Sequence, residues 1–328
     1  MRPPQWPTGA RCAKGSQSEL AVTPSPSSHY ADRLIARVRA LGHPLCAGLD
    51  PHLPMIPPLF RRGTMSPADP QSAAAVESFM LAMLERLAGR VAIVKPQSAF
   101  FEQLGWRGLQ VLDRVVRGAR EAGLLVLLDA KRGDIGSTAT AYAACLDVEA
   151  AAPVDALTVN PYLGRDTLQP FVDAAARAGT GLHVLVKTSN PGAADYQDRM
   201  IDGRPLFEHV AASLSDMCDR LRGPATGWSS LGIVAGATYP AENERLRSIL
   251  PHALFLVPGY GAQGGAARDA VRGFVRGADG RREGGIVSSS RGLLFPPDGA
   301  TDDRRSWERA IDAASERAAG ELADAVAS

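Results

Sequence analysis

Apolar residues in this chain fall into short solid runs separated by longer, alanine-rich stretches of mixed polarity. A run of four to eight apolar residues bounded by turn residues fits a strand buried on both faces, as in a parallel sheet. Such runs are Pro44 to Leu49, Val91 to Lys95, Leu124 to Ala130, Ala156 to Val159, Leu182 to Lys187, Leu231 to Ala235, Leu254 to Val257 and Gly285 to Ser289. Between them the pattern predicts helices over Pro70 to Leu87, Leu109 to Ala122, Ser137 to Ala151, Asp166 to Ala178, Leu206 to Leu221, Ala241 to Leu250 and Gly264 to Gly277, with a last helix over Arg304 to Ala327. Strict βα alternation calls for parallel strands. Eight repeats call for a closed (β/α)8 TIM barrel of the α/β class, a single domain over residues 29–328. An open doubly wound sheet is the alternative, but no GxGxxG follows an early strand.

Composition adds limits. The 328 residues accommodate one barrel of about 250 residues with extensions. A net charge of +1 and the lack of any long Lys/Arg block give no reason to expect nucleic acid or an anionic membrane as partner. No apolar stretch is long enough to span a bilayer, and the N-terminus lacks the apolar core of a signal peptide. Residues 1–28, rich in Pro, Ser and Gly, read as a disordered leader. The four cysteines are scattered, with no metal-ligand spacing, and read as reduced thiols of a cytoplasmic protein.

Chemistry concentrates at the carboxyl ends of the runs. Of 36 basic residues only Lys14, Lys95, Lys131 and Lys187 are lysines, and the last three each close an apolar run. Lysine offers a compact charge with a tunable proton, which arginine cannot supply. In LLVLLDAKRGDIG, Leu124 to Gly136, the apolar run stops on Asp129, Lys131 and Asp134. Asp129 and Lys131 lie two apart on a strand and share a face, whereas Asp134 falls in the turn beyond. A lysine that merely snorkels to solvent is the bland reading of any one of them. Asp50 and Asn160 sit at other strand ends. After the seventh and eighth runs come PGYGAQGG, Pro258 to Gly265, and SSSRG, Ser288 to Gly292. The corresponding loops of (β/α)8 barrels commonly bind phosphate through exposed backbone N–H groups, with Arg291 here as bidentate cation and Gln263 as amide donor in a flexible lid.

DAKRGDIGST, followed in order by VNPYLG, KTSNPG, PGYGAQGG and SSSRG, closely resembles the orotidine 5'-phosphate decarboxylase family, specifically its longer bacterial subfamily. The resemblance covers about His43 to Phe295. It implies cofactor-independent conversion of orotidine 5'-monophosphate to uridine 5'-monophosphate in de novo pyrimidine biosynthesis. Asp129, Lys131 and Asp134 match the family's DxKxxD, with Lys131 as proton donor. Asp134 would reach into the neighbouring subunit's site, accompanied by Thr138, so that a homodimer completes each centre. Asp50 and Lys95 match residues that contact the ribose and extend the charged network, and Ser189 matches a reader of the pyrimidine edge. Pro258, Gln263 and Arg291 fall in the phosphate-binding loops. No metal is implied, and Gln97, Asn160 and Lys187 remain without a role. The rivals are a Mg²⁺-dependent sugar-phosphate enzyme, a Schiff-base aldolase and a non-catalytic nucleotide sensor. Lys131 among carboxylates suits the second poorly, since a Schiff-base lysine needs a depressed pKa.

Overall fold

The computed structural model describes residues 29–261 and 265–328. Eight parallel strands close a barrel: β1 Leu45–Leu49, β2 Ile93–Pro96, β3 Leu125–Arg132, β4 Ala156–Val159, β5 Gly181–Lys187, β6 Ser229–Ala235, β7 Ala253–Val257 and β8 Gly285–Ser289. Each strand pairs with its neighbours in sequence, and β1 closes the circle on β8 with Leu45 opposite Val287. The expected leader, residues 1–28, lies outside the described residues.

Alternation within the strands divides two apolar layers. Leu45, Ala47 and Leu49 of β1, Val94 of β2 and Val126 of β3 pack outward against the helices. Cys46, Ile93, Leu125, Leu127 and Ala156 instead fill the barrel interior. Near the carboxyl ends that inward parity falls on Lys95, Asp129 and Thr158, all buried. Period-two alternation thus carries polar side chains into the top layer of the core.

Helices Pro70–Leu87 and Arg304–Ala327 match their expected bounds. Both are N-capped, Asp69 accepting from Gln71 N at 2.9 Å and Asp303 from Ser306 N at 2.7 Å. Other expectations need correction. Only Ala267–Ala270 is helical within the described part of 264–277. There Gly273 lies against Phe255, so close that a Cβ would sit 2.7 Å from the ring, and Val275–Arg276 pairs antiparallel with Arg282–Glu283. Packing on the barrel overrides alanine propensity in that segment. The stretch 206–221 breaks at Leu214 into Leu206–Ser213 and Ser215–Arg220, and the helix after β3 spans only Gly136–Ala143.

Helix Tyr30–Leu41, absent from the expected set, plugs the amino-terminal mouth. Tyr30 lies over Gly181, where a Cβ would come within 2.2 Å of its ring, and its hydroxyl meets His183 Nε2 at 3.1 Å. With that end closed, the carboxyl rim is the open one.

Candidate active site at the carboxyl rim

Asp129 is the hub of the rim. Its Oδ2 accepts from Lys95 Nζ at 2.8 Å and from Gln97 Nε2 at 3.1 Å. Its Oδ1 accepts from Lys131 Nζ at 2.6 Å and from Thr158 Oγ1 at 3.0 Å, while Thr158 Oγ1 in turn accepts from Lys131 N at 2.9 Å. One buried carboxylate therefore holds two ammonium groups and two neutral donors.

Local backbone structure brings Lys131 to this position. The β3–β4 register shifts between Leu128 and Arg132, a bulge spanning Asp129 and Lys131. Lys131 itself has φ +47°, a left-handed conformation rare for a residue with a side chain. Bulges re-aim side chains next to functional sites. Asp129 and Lys131 do meet in a direct ion pair, but the bulge and the left-handed backbone at Lys131 bring them together in place of the regular strand alternation expected from the sequence.

Burial alone would raise the pKa of Asp129, but the charges and hydrogen bonds of Lys131 and Lys95 outweigh it and hold the carboxyl well below the usual carboxylate range. Burial likewise opposes the charge of Lys95, and the carboxylates of Asp129 and Asp50 overcome it, raising its pKa above that of a free lysine. Both groups are charged at neutral pH. Lys131 differs in access: its side chain is 46% exposed, against 7% for Lys95, so one ammonium is buried support and the other meets the solvent.

The remaining expected residues surround this hub unequally. Asp50 follows β1 with Oδ1 buried and unpartnered among the described residues. Ser189, half-buried, follows β5, and Gly236 passes so close that a Cβ there would lie 3.0 Å from Ser189 Cα. The Pro258 carbonyl accepts from Ala237 N at 2.9 Å, joining the loops after β6 and β7. Beyond it Gly259 and Gly261 take φ of +95° and +72°, conformations that favour glycine. Gln263 lies outside the described residues. Arg291 is exposed directly after Ser290, whose buried hydroxyl has no partner among the described residues.

Asp134 and Thr138 stand apart from the hub. Asp134 Oδ1 accepts from Ile135 N at 2.8 Å, and no ion pair links it to Lys131 among the described residues of the chain. Thr138 is exposed on helix Gly136–Ala143. Gln97 and Thr158 are hub residues to which sequence reasoning gave no role. Strand parity with Ala156 was the available signal for Thr158. Among the described residues no three His, Cys, Asp or Glu side chains gather as metal ligands.

The model of the family described as "Orotidine 5'-phosphate decarboxylase / HUMPS" matches residues 43–305. The chain belongs to this family. An orotidine 5'-phosphate decarboxylase of Rhodopirellula baltica is 42% identical over 297 residues, 87% of this chain and 96% of that protein. One from Deinococcus radiodurans is 40% identical over 275 residues, 84% and 90% of the two chains. The solved structure of Leishmania donovani OMP decarboxylase superposes with a TM-score of 0.68 at 32% identity, covering 92% of this chain and 99% of that one. These relatives span nearly their whole lengths on the present chain and share one name, a carboxy-lyase, so the resemblance read from the motifs stands. No helix among the described residues is long and apolar enough to cross a membrane.

Proposed function

We propose that the protein decarboxylates orotidine 5'-monophosphate to uridine 5'-monophosphate, a step of de novo pyrimidine biosynthesis, with Lys131 as proton donor in an Asp129–Lys131–Asp134 array. The observation that carries this reading is the buried Asp129 carboxylate bound at 2.6 Å by the half-exposed Lys131 ammonium and at 2.8 Å by the buried Lys95. The C6–carboxylate bond breaks, carbon dioxide departs, and the electron pair left on C6 takes a proton from Lys131. Solvent then restores that proton. A fixed ammonium supplies charge where the carbanion develops and so acts as electrostatic stabiliser and general acid together. Asp129, already ionised, disfavours the substrate carboxylate beside it relative to the transition state.

Asp50 and Lys95 face the ribose and Ser189 the pyrimidine edge. Pro258, Gln263 and Arg291 bind the phosphate. A homodimer in the cytoplasm completes each site, with the partner's Asp134 and Thr138 crossing the interface. Four apolar side chains support such a contact: Ile135 next to Asp134, Tyr142 on helix Gly136–Ala143, and Tyr162 and Leu163 on the loop after β4 are 63%, 40%, 83% and 52% exposed.

The test is loss of the substrate's ultraviolet absorbance when the purified protein meets orotidine 5'-monophosphate in excess EDTA. Conversion by the wild type and none by Lys131→Ala is the expected result. A folded, dimeric wild type that leaves the substrate intact would refute the assignment.

A further inference from the structure

Lys187 closes β5, yet it does not join the charged hub. The β5–β6 register shifts between Leu185 and Lys187, and this irregularity interrupts the alternation that would turn the side chain inward. Fully buried, the ammonium instead pairs with Asp198, lies 4.2 Å from the Tyr239 ring centroid and 5.4 Å from that of Phe207. Asp198 ends the segment that begins at Thr188. Gln197 clamps the same two ends: its Oε1 accepts from Thr188 N at 2.9 Å and its Nε2 donates to Thr188 Oγ1 at 2.8 Å. Ser189 stands inside this closed loop, wedged against Gly236, whose N–H donates to the Lys187 carbonyl at 2.9 Å.

A buried ion pair adds little net stability over apolar residues of the same size, because desolvation offsets the attraction. Its value here is geometric. We propose that Lys187 is a positioning residue for base recognition: by clasping Asp198 over the ring of Tyr239, it fixes the 188–198 loop so that Ser189 meets the pyrimidine. This rests on the decarboxylase reading above.

Uridine 5'-monophosphate and ribose 5-phosphate share a sugar phosphate and differ in the base, so titration calorimetry with both isolates the loop's contribution. Lys187→Met retains the length of the side chain and removes the charge. It should weaken uridine 5'-monophosphate by about tenfold and leave ribose 5-phosphate within about twofold. Ser189→Ala should show the same selective loss, and adding Lys187→Met to it should cost nothing more, since one residue acts through the other. Asp198→Asn, at a side chain 41% exposed, keeps the shape of the partner and removes only its charge; it should reproduce the signature and decides the matter if Lys187→Met fails to fold. Equal weakening of both ligands, unchanged affinity for the nucleotide, or additive losses in the double variant would overturn the proposal. A wild type that neither turns over orotidine 5'-monophosphate nor binds its product would instead overturn the reading on which it rests.

Discussion

The two ends of the barrel both bury charge, and they treat it differently. At the amino-terminal end the Arg247 guanidinium is stacked between Trp228 and Phe255, with ring centroids at 4.8 and 4.0 Å. It donates to the carbonyls of Gly273, Ala253 and Gly284 at 2.7, 2.7 and 2.9 Å. Beside it both oxygens of Glu283 accept from Arg39 at 2.7 Å, and Trp228 Nε1 adds a third bond at 3.0 Å. Donors and acceptors of this Arg247–Glu283–Trp228 group are matched, whereas Arg33 Nε on the plug helix lacks a partner among the described residues. At the carboxyl rim Asp50 Oδ1 and Ser290 Oγ lack partners among the described residues, Arg291 is exposed and Lys131 is half open to solvent. Saturated charge holds a structure together; unsaturated charge awaits a ligand.

Substitutions at the two ends should separate accordingly. Lys131→Ala should lower kcat by at least about 10⁴-fold, since general-acid and electrostatic contributions are lost together, with the melting temperature unchanged or raised. A large fall in melting temperature would place Lys131 with the structural charges. Arg247→Ala should do the reverse, destabilising the fold by about 3–5 kcal/mol in denaturant titration because several buried carbonyls lose their donor, while the folded fraction retains its specific activity.

His183 tests the boundary between the layers. Burial pushes its pKa down to about 4, against a smaller upward pull from the Asp129 charge. The unfolded chain, with histidine near 6.5, takes up the proton first as pH falls. Stability should therefore be complete above that value and decline by up to about 3 kcal/mol towards pH 4. His183→Gln should flatten this part of the stability profile; an unchanged slope would assign the acid sensitivity elsewhere. The smallest effect belongs to Arg291→Ala, which should weaken phosphorylated ligands by about 2 kcal/mol and spare uridine, a comparison that direct binding resolves.

The strands were legible because each apolar run is buried on both faces, as at β1 and β7, where every residue is buried. The charges that end those runs had few structural explanations, which made Asp129, Lys131 and Lys95 stand out. Local sequence could not reveal which groups meet across strands. Gln97 and Thr158 reach Asp129 only through the pairing of adjacent strands, from elements 32 and 29 residues away. The direction of Lys187 depends on a register shift that no pattern of residue types announces. The plug at Tyr30–Leu41 was missed for a related reason: its partners, Gly181 and His183, are distant in sequence.

Lys131 occupies a backbone conformation at φ +47° that costs a residue with a side chain about 1–2 kcal/mol relative to glycine. Under the role proposed for Lys131, selection for stability and selection for turnover oppose each other at this single position. In a lineage released from the need for the ammonium, the same barrel would gain stability by exchanging Lys131 for glycine or asparagine. Loss of the activity would then precede any loss of the fold, leaving a well-folded barrel whose mutated DxK position records the chemistry it once performed.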